Sequence, residues 1–80
     1  KLMILKIMRL IMESVPYEAG RQTDYHTLYS SVDSYCKDLG LTLSYDTFKY
    51  AIRSLHNEQS IVVFSKNNIK PTQYGLNKYQ

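Results

Sequence analysis

The side chains best suited to chemistry in this chain lie in its second half, and they suit binding better than catalysis. Arg53 lies three residues after Tyr50 and four after Lys49, a spacing that places it beside both on one side of a helix. Arginine donates to both acceptors of a guanine edge, and lysine and tyrosine reach phosphates. We therefore predict that this face contacts the major groove of duplex DNA. The alternative is a solvated helix face that happens to carry two cations.

The segment from Ser44 to Asn57 is predicted to be the helix that positions these side chains. Ser44 is a good N-cap residue, and Asp46 lies in the first turn, where the helix dipole favours an anion. Tyr45 and Thr47 lie near the helix start, and we predict that they contact backbone phosphates. One apolar stripe is expected to face the core, and it consists of Phe48, Ala51, Ile52 and Leu55.

The excess positive charge of the chain lies in the same half. The formal net charge is +3. Residues 1–43 contain five basic and five acidic side chains, whereas residues 44–80 contain five basic and two acidic ones. Clustered excess positive charge is typical of proteins that bind nucleic acids.

A second cationic segment runs from Ser65 to Pro71 and has the composition of a turn. Its paired asparagines favour a turn, and its two lysines are predicted to contact phosphates. The candidate binding residues of this segment are Lys66, Asn67, Asn68 and Lys70. The alternative is an ordinary hydrophilic hairpin tip.

Two further helices are predicted before Ser44. The first spans Lys1 to Ser14, and its apolar arc is wider than one small core needs. Either that helix is buried on two sides, or its flank from Leu2 to Met12 meets a second domain or subunit. A very short strand is possible at Arg21-Gln22. Thr23 or Asp24 is then expected to cap a helix that reaches about Leu39, and Gly40 supplies the left-handed residue that ends it. The apolar stripe of that helix consists of Tyr25, Leu28, Tyr29, Val32, Tyr35, Cys36 and Leu39.

Two strands are predicted after Asn57. Residues 60–64 are β-branched and aromatic, which favours a strand, and Tyr74 to Tyr79 is expected to return as its partner with Gly75 near its start. The predicted fold is therefore α+β: a winged helix-turn-helix of three helices with a C-terminal two-stranded β-hairpin wing. Eighty residues hold one modest core, so we expect residues 1–80 to form a single DNA-binding domain. Because the chain begins at Lys1, we expect it to be a piece of a larger protein or a processed form.

Parts of the chain between Tyr25 and Leu76 resemble the C-terminal winged-helix domain of the archaeal Orc/Cdc-type replication initiators. The resemblance rests on Leu28-Tyr29, Tyr35 to Leu41, Leu43-Ser44-Tyr45, Phe48, Ile52, Leu55, Val62 to Lys66 and Tyr74-Gly75. Members of that family are AAA+ ATPases that bind replication origins, and their nucleotide site lies in another domain. The resemblance implies that this chain is an origin-binding domain.

Other chemistries are poorly supported. Cys36 is the single cysteine, so the chain has neither an internal disulfide nor a cysteine-based zinc cluster, and we expect a reducing, intracellular location such as the cytoplasm, nucleoid or nucleus. His26 and His56 have no partner at metal-ligand spacing. No nucleophile elbow or paired-carboxylate motif is present, so we expect no enzyme activity, cofactor or metal within these residues.

Two alternative functions remain open at the level of the sequence. A small winged-helix transcription regulator would pair its apolar first helix with a symmetry mate and bind a palindrome as a dimer. A protein-interaction winged helix would use the same apolar flank for another partner, because fold alone does not fix function.

Overall fold

The computed structural model describes residues 2–18, 21–65 and 68–80. Within these ranges the chain forms four helices and a three-stranded antiparallel sheet of order β1-β3-β2. The elements are α1 (Leu2–Ser14), β1 (Thr23–Asp24), α2 (Tyr25–Asp38), α3 (Tyr45–Asn57), β2 (Ile61–Ser65), β3 (Asn68–Pro71) and α4 (Gln73–Lys78). The predicted α+β class is confirmed, but α4 and β1 change the predicted count of elements.

The helices begin at residues whose side chains accept from the first turn. Asp24 Oδ1 accepts from the Thr27 N–H (2.7 Å), and Ser44 Oγ accepts from the Thr47 N–H (3.1 Å). These bonds satisfy orphan backbone donors, as predicted for both caps. The hydrogen bonds from Thr27 also lower the pKa of Asp24. Gly40 has φ +73°, so the left-handed end predicted for α2 is confirmed as well.

The core lies where α1 packs against α2 and α3. It is built from Ile7, Met8, Leu10, Ile11, Met12, Val15, Leu28, Val32, Cys36, Leu43, Phe48, Ala51, Ile52, Leu55, Ile61 and Ile69. Most of the apolar arc of α1 is therefore covered within this chain, which was one of the two expectations for that helix. The exposed apolar remainder among the described side chains of α1 is Leu5, 62 % exposed, with Met3 beside it at 38 %.

The predicted stripe of α2 is correct along its centre and wrong at its edge. Leu28, Val32 and Cys36 are buried, whereas Tyr35 and Leu39 are largely exposed. Tyr35 and Leu39 therefore lie outside the part of the helix surface that packs against the core. Leu39 also follows the last helical residue and serves as the C-cap.

The sheet differs from the prediction in the position of its first strand, and the pairing of β2 with β3 is irregular. The sequence allowed a short strand at Arg21-Gln22, but the strand lies at Thr23–Asp24, where it pairs with β3 through Thr23↔Ile69 and Asp24↔Asn68. In the β2–β3 pair the register shifts between Val63 and Ser65, as in a β-bulge with Phe64 as the additional residue.

The return strand predicted from Tyr74 to Tyr79 is wrong. The strand that pairs with β2 is Asn68–Pro71, part of the segment predicted as a turn, and Gln73–Lys78 forms α4 instead. The hairpin wing is therefore not C-terminal. Lys66 and Asn67, which were expected in the turn, lie outside the described residues.

Contacts with the segment after α3 explain why α4 forms. The Thr72 hydroxyl donates to the Gln59 carbonyl (2.6 Å) and accepts from the Gly75 N–H (2.9 Å), so one side chain caps α4 and attaches it. The Thr72 N–H also donates to the Ser60 carbonyl (3.0 Å). Gly75 lies directly against the Ser60 backbone, and a Cβ at this position would fall 2.7 Å from Ser60 Cα.

The partly buried carboxylate of Glu58 holds the other end of α4 in place. Glu58 Oε2 accepts from the Ser60 and Tyr79 hydroxyls (2.6 Å each), and Glu58 Oε1 accepts from Lys78 Nζ (2.9 Å). Partial burial raises the pKa of Glu58, but these hydrogen bonds outweigh it and leave the pKa lowered. Burial and the contact with Glu58 raise the pKa of Tyr79. We call these four residues the Glu58 clamp.

Gly75→Ala should destabilise the domain by about 3 kcal/mol, because the new methyl group meets backbone that has no room to move. Gly40→Ala is the matched control: nothing lies within 4 Å of its Cβ, so only the left-handed backbone costs energy, roughly 1 kcal/mol. Urea unfolding of both variants measures the difference. Equal losses would contradict the close packing of Gly75.

Glu58→Gln should lower the free energy of unfolding at neutral pH by about 1–3 kcal/mol, since charged hydrogen bonds are lost. The folded pKa of Glu58 lies below its ordinary value of 4.5. Its contribution is therefore complete above that value and is lost as the pH falls through the folded pKa. Thermal unfolding across this acid range should show a weaker pH dependence in Glu58→Gln than in the parent chain. An unchanged slope would contradict the Glu58 clamp.

Candidate nucleic-acid interface

The orientation of α3 is fixed by its buried side. Phe48, Ala51 and Leu55 are completely buried and Ile52 nearly so, as the sequence predicted. The rings of Tyr25 and Tyr29 each pack edge-on against Phe48, with centroids 5.1 Å apart in both pairs. Because the helix is anchored along this side, its other side has a defined direction.

Lys49, Tyr50 and Arg53 all lie on the exposed side of α3, and we call these three residues the cationic face. Tyr50 is 55 % exposed. The ion pairs of the described residues are formed by other side chains, so neither Lys49 nor Arg53 has a carboxylate partner there. Asp46 is also exposed. It lies one turn earlier, at the helix start, where the helix dipole stabilises a negative charge. The cationic face therefore presents two uncompensated positive charges to solvent.

Tyr45 and Thr47 border this face at the start of α3. Tyr45 is about half exposed, and Lys49 Nζ lies 5.6 Å from the centre of its ring. Its ring packs edge-on against Tyr25 and Tyr29. Burial, followed by the effect of neighbouring Tyr45, raises the pKa of Tyr25 to about 12. Tyr45 thus links the core to the candidate interface.

Thr47 has a larger structural role than the sequence indicated. Its N–H donates to Ser44 Oγ, and its hydroxyl accepts from the Ser44 hydroxyl at 2.8 Å. Only the hydrogen of the Thr47 hydroxyl is left for a phosphate. The predicted phosphate contact of Thr47 stays a prediction, as it does for Tyr45.

The hairpin places part of the second cationic segment on an outer surface. Lys70 is paired with Val62 across the strands, and its Nζ lies 5.0 Å from the centre of the Phe64 ring. Asn68 Nδ2 donates to Ser65 Oγ (2.8 Å) close to the tip. Of the four residues predicted here, Lys70 and Asn68 are described, whereas Lys66 and Asn67 lie outside the described ranges.

Sequence reasoning missed a groove between the end of α3, β2 and the start of α4. Its lining residues are His56, Asn57, Gln59, Ile61, Val62, Thr72 and Tyr74, and its volume is about 610 Å³. The sequence of β2 is apolar at each of its first four residues, so it did not show that Val62 and Phe64 would be the exposed ones. Tyr74 gave no signal either, because its segment was predicted as a strand.

The described residues offer little for other chemistries. No three histidine, cysteine or acidic side chains in ranges 2–18, 21–65 and 68–80 come together as a metal site. Cys36 is a free, completely buried thiol, and burial raises its pKa, which suits a core residue. Among the described helices, none combines the length and apolar character needed to cross a bilayer.

No family model, curated protein or solved structure matches the chain. The resemblance to the winged-helix domain of replication initiators therefore stays a prediction from the residues quoted above.

The two sides of α3 should respond differently to truncation. Lys49→Ala combined with Arg53→Ala should change the free energy of unfolding by no more than about 0.5 kcal/mol, because both side chains are exposed and unpaired within the described ranges. Phe48→Ala, on the same helix, should cost about 3–5 kcal/mol. Chemical unfolding measures both values. A large loss in the double variant would mean that these cations serve the fold.

Proposed function

We propose that this chain is a duplex-DNA-binding domain of the winged helix-turn-helix class. In this proposal α2 and α3 form the helix-turn-helix pair, and the β2–β3 hairpin is the wing. The observation that carries the proposal is the cationic face: Lys49 and Arg53 are exposed and lack carboxylate partners among the described residues, while the opposite side of α3 is buried. A helix that is buried on one side and cationic on its exposed side is suited to entering a groove of DNA.

The dimensions of α3 are compatible with the major groove. Its 13 residues give a rod about 20 Å long at 1.5 Å per residue. The major groove is about 12 Å wide and admits a helix. In this arrangement Arg53 donates to a guanine edge, and Lys49 and Tyr50 contact the phosphates and sugars that border the groove.

The hairpin would add a second contact on the phosphate backbone. Lys70 lies on its outer surface beside Phe64, and Asn68 lies near its tip. These contacts carry no sequence information, but they fix the orientation of the domain on the duplex. Tyr45 and Thr47 have the same role at the start of α3.

The biological setting that we propose is a replication origin, with the chain as the origin-binding module of an initiator. This assignment is supported by the resemblance to the Orc/Cdc-type initiators. It differs from the transcription-regulator alternative in its symmetry, because a dimeric regulator selects a palindrome. Selection of bound duplexes from a random library distinguishes the two: asymmetric sites favour the initiator, and palindromes favour the regulator.

A protein-interaction role is the second candidate, and the exposed apolar pair Leu5 and Met3 on α1 favours it. A partner domain or subunit would cover these side chains. Since most of α1 is already buried inside this chain, the area left for such a partner is small. Absence of duplex binding at low salt would favour this candidate over DNA binding.

The domain should bind a mixed-sequence duplex with a dissociation constant of roughly 10⁻⁶ M at moderate salt, and the affinity should fall steeply as salt rises. Lys49→Ala with Arg53→Ala should weaken binding and reduce the salt slope by about one unit, because the lost phosphate contact of Lys49 removes about 0.9, whereas the lost contact of Arg53 is to a base edge. Fluorescence anisotropy over a salt series measures both quantities.

Lys6→Ala with Lys37→Ala is the matched control, because it removes two exposed lysines from α1 and α2 and changes the net charge equally. This control should keep most of the affinity. If both double variants lose the same affinity, binding reflects net charge alone and the proposed role of the cationic face is wrong.

A further inference from the structure

We infer that the groove at the end of α3 binds unpaired nucleotides, so that the domain holds single-stranded nucleic acid on a surface distinct from the cationic face. We call it the aromatic groove and define it by His56, Asn57, Gln59, Val62 and Tyr74. The exposed ring of Phe64 follows two residues after Val62 on β2. The inference does not require the proposed major-groove contact, because the side chains of the cationic face are not part of this groove. Lys70, which also has a proposed duplex contact, lies beside Phe64.

The first argument is the aromatic surface beside the groove, which is an open depression with a volume of about 610 Å³. Tyr74 is 55 % exposed, and Phe64 is 47 % exposed. Large rings left in water at this level offer flat surfaces on which bases stack, and such stacking tolerates any base.

The second argument is the charge beside each ring. Lys70 Nζ lies 5.0 Å from the centre of Phe64, and Lys78 Nζ lies 5.9 Å from the centre of Tyr74. Aromatic rings paired with cations are what a single strand requires, since bases stack while phosphates meet positive charge. Lys78 also bonds to Glu58, so Lys70 carries the larger share of uncompensated charge. This charge pattern favours a polyanion over a neutral peptide strand along the edge of β2.

The third argument is Gln59, which has φ +69° where glycine would be unstrained. Both α2 and α3 end in the same way: Leu41 N–H bonds to Cys36 O and Ser60 N–H bonds to Leu55 O, each across the helix end. At the equivalent position α2 has Gly40, whereas α3 has Gln59, although a positive φ costs a residue with a side chain more energy than it costs glycine. Gln59 is one of the residues that line the groove, and a glutamine amide matches the donors and acceptors of a base edge.

The groove also continues the surface of α3. Asn57 lies one turn beyond Arg53, and His56 lies almost two turns beyond Lys49, so the exposed side of the helix leads into the groove. Asn57 and His56 are both exposed and can hydrogen-bond to bases. A duplex on the cationic face would therefore reach the groove at its end, which suits a junction between paired and unpaired nucleic acid.

The test uses three labelled probes: an oligothymidylate strand, a blunt duplex, and the same duplex with a thymidine overhang. We expect the chain to bind the oligothymidylate and to prefer the overhang duplex to the blunt one. Tyr74→Ala and Phe64→Ala should each weaken oligothymidylate binding roughly fivefold or more, since stacking on one ring is lost. Tyr74→Ala should leave blunt-duplex binding unchanged. Phe64→Ala is measured on the single strand only, because Lys70 beside Phe64 also has a proposed duplex contact. Tyr17→Ala, at the most exposed tyrosine, is the control and should change nothing.

Lys49→Ala with Arg53→Ala separates this inference from the proposed function. That variant should bind the blunt duplex more weakly than the parent chain does and keep the parent's affinity for oligothymidylate. If blunt duplex fails to bind the parent chain but the Tyr74-dependent binding of the strand persists, the duplex proposal falls and the groove assignment stands. If the strand does not bind at low salt, or binds Tyr74→Ala and Phe64→Ala as well as the parent, the groove assignment is wrong.

Gln59→Gly provides a variant that does not depend on truncating a ring. Because glycine relieves the strained backbone, this variant should unfold at a temperature equal to or above that of the parent. It should nevertheless bind a mixed-sequence single strand at least twofold more weakly. Unchanged affinity in a well-folded Gln59→Gly protein would contradict the role assigned to this amide.

Discussion

The orientation of α3 depends on the burial of Phe48. Its ring is completely enclosed, with Tyr25 and Tyr29 packed edge-on against it at 5.1 Å. Such contacts add to the apolar burial and fix the rotation of the helix about its axis. Once Phe48 points inward, the helical period directs Lys49, Tyr50 and Arg53 outward. The direction of the cationic face is therefore a consequence of how the aromatic core packs.

A second constraint acts where α3 ends. The chain must leave the helix, pass Gln59 with its positive φ, and enter β2 while α4 folds back onto the same turn. The Thr72 hydroxyl and the Glu58 clamp both bond to this short segment, and Gly75 allows the close approach. These contacts bring Tyr74 beside Val62 and so form the aromatic groove. The groove thus depends on long-range bonds, whereas the cationic face depends on the packing of one helix.

This difference explains how much the sequence could predict. The cap at Ser44, the left-handed Gly40 and the buried stripe of α3 follow from residue types and local spacing, and all were predicted correctly. Asp24 was one of the two caps predicted for α2. Lys49, Tyr50 and Arg53 were placed on one exposed face by the same reasoning. The structure of the segment from Tyr74 to Tyr79 was predicted wrongly, because its two tyrosines favour a strand locally and Gly75 does not favour a helix. Bonds to residues more than ten positions away decide its structure.

The two candidate surfaces also differ in how their positive charge is held. Lys49 and Arg53 are exposed and have no carboxylate partner within the described ranges, so salt screens them as it screens free surface charges. Lys78 instead serves two purposes, since its ammonium bonds to Glu58 and lies near the ring of Tyr74. A phosphate that approached Lys78 would compete with Glu58 and weaken the attachment of α4. Lys70 forms no ion pair among the described residues, and a phosphate bound there would leave the fold undisturbed. Binding along the groove is therefore least costly at the end marked by Phe64 and Lys70.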